Sequence, residues 1–166
     1  MASFDPKKFT TNDWGVVGGG LLGFIGLFFH AYSVKVKGSD VFGGAGFGGS
    51  LSGWHFKGLW FGVIFLLAAA AFVFVKVQGI ADTPTLPVGP KLAVLAATAV
   101  GLLIILIRVF TYPSANVPGV SAGAAFGSYL VLIAAIVSVV FAALDFRSSG
   151  EKLPDFKGGS GAPPAA

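Results

Sequence analysis

Few side chains in this 166-residue chain have the chemistry for catalysis or ligation. Its imidazoles are His30 and His55, its one glutamate is Glu151, and it has no cysteine. Disulfides, thiolate metal sites and cysteine nucleophiles are therefore excluded. His30 and Arg108 lie at the ends of long apolar runs, and an ionisable group in such a run is a functional candidate by default. The two could converge on one outer-facing polar site, with His30 beside Tyr32 reading as an interfacial hydrogen-bonding residue sooner than as a proton relay. No acidic residue lies inside any of the runs, so a proton-coupled pump lacks the group it usually needs. Asp40 is the one acid between His30 and His55, too little for a metal centre. No His-Glu-x-x-His pair occurs. The expectation is a non-enzymatic protein with no catalytic residues, no cofactor-binding residues and no metal ligands.

The elements that must position these residues are more informative than the residues themselves. Four apolar stretches, at about 14–34, 58–75, 92–110 and 123–144, each approach the roughly 20 residues needed to cross a ~30 Å hydrocarbon core. Hydrophobic residues make up 55% of the chain and charged ones 11%, against about 25% charged in a typical soluble domain. The expected fold is all-α: a four-helix transmembrane bundle over residues 1–147, with a disordered Gly/Pro-rich tail over 148–166. Asn12 and Asp13 precede the first run as N-cap candidates. That run is longer than a signal-peptide core and is followed by no small-x-small cleavage pattern, which marks it as a retained helix.

Orientation follows from the Lys and Arg count on alternate sides of the four spans. Lys7, Lys8, Lys76, Lys91, Arg147, Lys152 and Lys157 fall on one side; Lys35, Lys37, Lys57 and Arg108 fall on the other. The bias predicts a multi-pass protein of the cell membrane with both termini cytoplasmic. The net charge of +4 is too thinly spread to indicate nucleic acid. Arg108 is expected to reach the headgroups beside Tyr112, while Asp145 and Arg147 read as charges that terminate the fourth span.

The loops differ in character. Pro84, Pro87 and Pro90 predict a short, stiff connection into the third span. The outer loop, residues 35–57, mixes seven glycines with Val41, Phe42, Phe47, Leu51 and Trp54. It is either a flexible segment touching the headgroups or an ordered cap on the bundle. Within the spans, small residues recur every four positions: Gly15, Gly19 and Gly23, then Gly58 and Gly62, then Gly119, Gly123 and Gly127. Such faces let helices approach closely in lipid, whether to pack one bundle or to meet a neighbour.

Several features in order resemble a class of small four-span membrane proteins of high-GC Gram-positive bacteria that has no assigned activity. They are Phe4-Asp5-Pro6, the Gly-rich first span, Ser52-Gly53-Trp54, Leu86-Pro87 and the exit from Gly150 to Pro154. The resemblance implies a bacterial inner membrane and carries over no functional residue. The expected function is a scaffold or accessory subunit that packs through its Gly-xxx-Gly faces, with the lipid bilayer and another membrane protein or further copies of itself as partners. The alternative is an oligomeric small-solute channel or transporter.

Overall fold

The computed structural model describes residues 5–36, 47–80, 89–114 and 118–151. Within them lie four helices, α1 (Thr11–Gly26), α2 (Lys57–Gln78), α3 (Pro90–Phe110) and α4 (Phe126–Ser149). Three short strands, β1 (His30–Val36), β2 (Phe47–Ser52) and β3 (Val120–Ala124), form an antiparallel sheet of order β2-β1-β3. The expectation of an all-α chain is therefore corrected: the fold is mostly helical with a small sheet.

The first apolar run is where sequence and structure part. The helix expected over 14–34 starts at Thr11 and ends at Gly26. Its last turn tightens through Leu27 N–H to Phe24 C=O, Phe28 N–H to Ile25 C=O and Phe29 N–H to Gly26 C=O. Beyond it, Tyr32, Val34 and Val36 alternate with Ser33 and Lys35, a period of two that averaged hydropathy conceals. Aromatic and β-branched side chains suit a pleated strand, and β1 becomes the centre of the sheet. Its flanking strands are mostly Gly, Ser and Ala, with Ser33 opposite both Ser50 and Gly123.

Thr10, rather than Asn12 or Asp13, caps α1. Its hydroxyl accepts the Asp13 N–H at 3.2 Å, and the Asp13 carboxylate accepts the Thr10 N–H at 2.9 Å, so two otherwise unpaired helix-end donors are satisfied reciprocally. Gly79, at φ 63°, ends α2 in the left-handed conformation that glycine adopts without a side-chain clash. Pro90 opens α3 at a position where its missing N–H costs nothing. The other two prolines of that connection lie outside the described residues.

Each helix packs on two neighbours, in the cyclic order α1, α2, α3, α4. One apolar cluster near the sheet centres on Leu27, Leu59, Leu66, Ile105 and Val131; a second, at the far end, centres on Phe9, Val16, Val73, Val94 and Ala142. Around this core, large apolar side chains face outward on every helix, among them Leu21, Ile64, Ile107 and Ile133. Helices α2, α3 and α4 have 22, 21 and 24 residues, long and apolar enough to cross a membrane. At 16 residues, α1 spans about 24 Å at 1.5 Å per residue.

Candidate functional site

Among the described residues the charged groups collect at the two ends of the helices, and the polar side chains buried mid-helix, Thr98 and Ser138, bond to carbonyls of their own helices. At the end opposite the sheet, α1 starts, α2 ends, α3 starts and α4 ends. Lys91, in the first turn of α3, reaches Asp145 on α4 with Nζ to Oδ2 at 2.5 Å and lies 3.7 Å from Asp13 Oδ1 on α1. Asp13 is 3% exposed and Asp145 8%. A lysine at a helix start and an aspartate near a helix finish both oppose the helix dipole, so each is better placed for the other than for its own helix. Asp13 Oδ2 is held by Thr10, whereas its Oδ1 has no hydrogen-bond donor.

Two further ties close this end. The Glu151 carboxylate accepts the backbone N–H groups of Lys91 and Leu92 at 3.3 and 3.1 Å, capping α3 where Gly89 has no side chain to do so. A Cβ on Gly89 would overlap that carboxylate. The Gln78 side chain exchanges two hydrogen bonds with the Asp5 backbone, at 3.1 and 3.0 Å, fixing the turn Pro6–Lys8 to the end of α2. Asp145, expected to be a terminating charge, is thus buried in an ion pair. The helix itself runs on to Ser149, which places Asp145 a full turn inside it.

At the sheet end the chemistry is aromatic. The rings of Tyr32, Phe56 and Tyr112 meet with centroids 5.0–5.8 Å apart. The Arg108 guanidinium lies 5.0 Å from the Phe56 ring and 4.9 Å from that of Tyr112, within cation–π range. Tyr112 and Ser128 share a 3.0 Å hydrogen bond, and the Ser128 hydroxyl donates to Ala31 C=O at 2.7 Å. Tyr32 O–H donates to Pro113 C=O at 2.9 Å. Burial raises the Tyr112 phenol above its ordinary value, while the Ser128 hydrogen bond and the Arg108 charge pull the other way. The chain joins α1, α3 and α4 through the strand that follows α1.

His30 is exposed at the first position of β1. Among the described residues no hydrogen bond, ion pair or ring contact joins it to Arg108, whose neighbours are the Phe56 and Tyr112 rings and Gly58. His55 lies near Ser52 in the 3₁₀ turn Gly53–His55, with Nδ1 and Oγ 3.2 Å apart. Trp54 stacks edge-on against Phe24 and Phe28, so this part of the outer loop is seated on the end of α1. Asp40 and Phe42 lie outside the described residues. Gly119-Val120-Ser121-Ala122-Gly123 has the spacing of a hydrolase nucleophile elbow. It falls on an edge strand, and Ser121 Oγ donates to Lys35 C=O at 3.5 Å, with no hydrogen bond to a histidine among the described residues.

The glycines divide by location. Gly15 lies under the Phe141 ring, and Gly19 faces Ser138 and the Ala134 carbonyl, sealing α1 against α4. Gly62 meets Gly101, where a Cβ on either would come within 2.9 Å of the other's carbonyl oxygen, sealing α2 against α3. Gly23 has only ordinary contacts, Gly58 supports the Arg108 stem and Gly127 lies against the Phe29 and His30 carbonyls. Gly119 and Gly123 are not on a helix: Gly119 turns the chain at φ 83° and Gly123 belongs to β3. The fourth helix, expected from about 123, begins at Phe126 because these residues are drawn into the sheet.

Comparison with family models, with curated proteins and with solved structures finds no match to this chain.

Proposed function

We propose that this chain is a four-span integral membrane protein that acts as a non-enzymatic scaffold or accessory subunit of a membrane complex, displaying its sheet on the outer face. One observation carries the reading: all four helices turn large apolar side chains outward, and charge is confined to their two ends. α1 is the short member, yet Leu21, Ile25 and Phe28 continue its exposed apolar face to the base of the sheet. A short span is accommodated by drawing the flanking structure towards the headgroups, and the aromatic groups Phe24, Phe28 and Trp54 suit that depth.

Lys7, Lys8, Lys76, Lys91 and Arg147 share the end opposite the sheet, which favours a cytoplasmic location for it and for both termini. Gly15, Gly19 and Gly62 are covered by the chain's own helices, so a partner would engage the outward apolar faces or the open edges of β2 and β3. The test is the mass of the protein extracted in mild detergent, together with solute flux in proteoliposomes. A defined complex with another membrane protein and no flux is expected. A homogeneous ring of this chain alone that conducts a solute would replace the proposal with a channel.

A further inference from the structure

A groove of about 400 Å³ runs between α1 and α2 on the outward side. Trp14 and Leu21 bound it on α1, Leu67 and Phe74 on α2, with Ala70 and Ala71 as its floor. The helical spacing explains the shape: Trp14, Val17 and Leu21 share a face of α1, and opposite them on α2 the residues between Leu67 and Phe74 are the small Ala70 and Ala71. Large side chains at both ends and small ones between leave a trough rather than a flat face. Its length, seven residues on each helix, is about 10 Å of the ~15 Å that one leaflet contributes to the hydrocarbon core.

The end of the groove away from the sheet is roofed and charged. The Phe9 ring lies 4.9 Å from Trp14 and 5.8 Å from Phe74, closing the trough. Directly above, the turn Pro6–Lys8 is anchored to Gln78, one helical turn beyond Phe74 on the same face of α2. Lys7 and Lys8 are exposed on that turn. Of the nearby acids, Asp5 accepts the Lys7 backbone N–H at 3.0 Å and Asp13 is committed to Thr10 and Lys91, so among the described residues neither lysine ammonium is in an ion pair.

We propose that the groove is a binding site for one anionic phospholipid of the leaflet at this end, an acyl chain lying between α1 and α2 and the headgroup phosphate resting on Lys7 and Lys8. An apolar trough selects for a chain, and the paired lysines select for negative charge. The proposal rests on the membrane reading above. It accounts for a turn that is fixed in place by a side-chain amide without burying its lysines.

The protein would be reconstituted into vesicles of phosphatidylcholine and phosphatidylglycerol, re-extracted in mild detergent and weighed by native mass spectrometry. Wild type is expected to retain one phosphatidylglycerol. Ala71→Leu, which puts a larger side chain into the trough at an exposed position, is expected to lose it while its thermal unfolding stays close to wild type. Replacing both lysines, Lys7→Gln with Lys8→Gln, is expected to reduce the preference for phosphatidylglycerol over phosphatidylcholine by about tenfold. Equal lipid retention by wild type and Ala71→Leu, or a dimer with no lipid adduct, would overturn the site and leave the membrane reading intact. Release of the protein from native membranes by an alkaline carbonate wash would overturn both, and is scored separately.

Discussion

The two ends of this helical assembly solve one problem in opposite ways. At the end opposite the sheet, cohesion comes from ions: Lys91 between Asp145 and Asp13, with Glu151 capping α3. At the sheet end it comes from rings and neutral hydrogen bonds, with Arg108 lying against Phe56 and Tyr112 and, among the described residues, in no ion pair. An ion pair is unforgiving, because removing one member strands a buried charge; an aromatic cluster degrades by increments. The first end therefore fixes the helix register, while the second can carry a sheet whose edges stay open.

The sharpest way to break this contrast is Lys91→Met. It leaves Asp13 and Asp145 buried without their cation, and a loss of about 3–5 kcal/mol is expected, read as a large drop in thermal unfolding temperature in detergent. Adding Asp145→Leu should recover part of it. Between the two ends, Gly19→Leu forces a side chain into Ser138 and the Ala134 carbonyl and should cost about 3 kcal/mol, whereas Gly23→Ala meets only ordinary contacts and should be nearly neutral. At the sheet end, Ser128→Ala removes the donor to Ala31 C=O and the partner of Tyr112, for about 1–3 kcal/mol. Arg108→Lys keeps the charge but loses the planar stack and should cost about 0.5–1 kcal/mol. If Arg108→Lys proved as damaging as Lys91→Met, the two ends would not differ as argued.

The smallest effect is a titration. The folded state holds the Tyr112 proton more tightly than the unfolded chain does, because burial raises its pKa. Its stabilising contribution is complete below the unfolded value of about 10 and declines as pH rises through the folded one. Absorbance at 295 nm should show this phenol ionising later than exposed tyrosine, and Ser128→Ala should move it further up.

Much of this was legible in the sequence. Runs as long and apolar as those of α2, α3 and α4 mark themselves, and Pro90 marks the start of α3. The sheet was harder to read, because a window long enough to detect a span averages Tyr32-Ser33-Val34-Lys35-Val36 into the helix before it. The glycines at 119 and 123 share the four-residue spacing of Gly15 and Gly19, and nothing in that spacing separates a strand from a helix face. The Lys91 ion pair was hidden for another reason: its three members are 54 to 132 positions apart and each has an ordinary local explanation as a loop cation, a cap or a terminating charge. Only the packing of α1, α3 and α4 brings them together.

The arrangement of the two ends across a bilayer is the central claim, and a chain without cysteine tests it cleanly. Single cysteines at Lys8, Ser50, Ser121 and Ser149, all exposed positions, would be probed in intact cells with a membrane-impermeant maleimide. Labelling of the cysteines at 50 and 121 without permeabilisation, and of those at 8 and 149 only after it, is the predicted result. Labelling of positions 8 and 50 from the same side would show that α1 does not cross and would contradict the account.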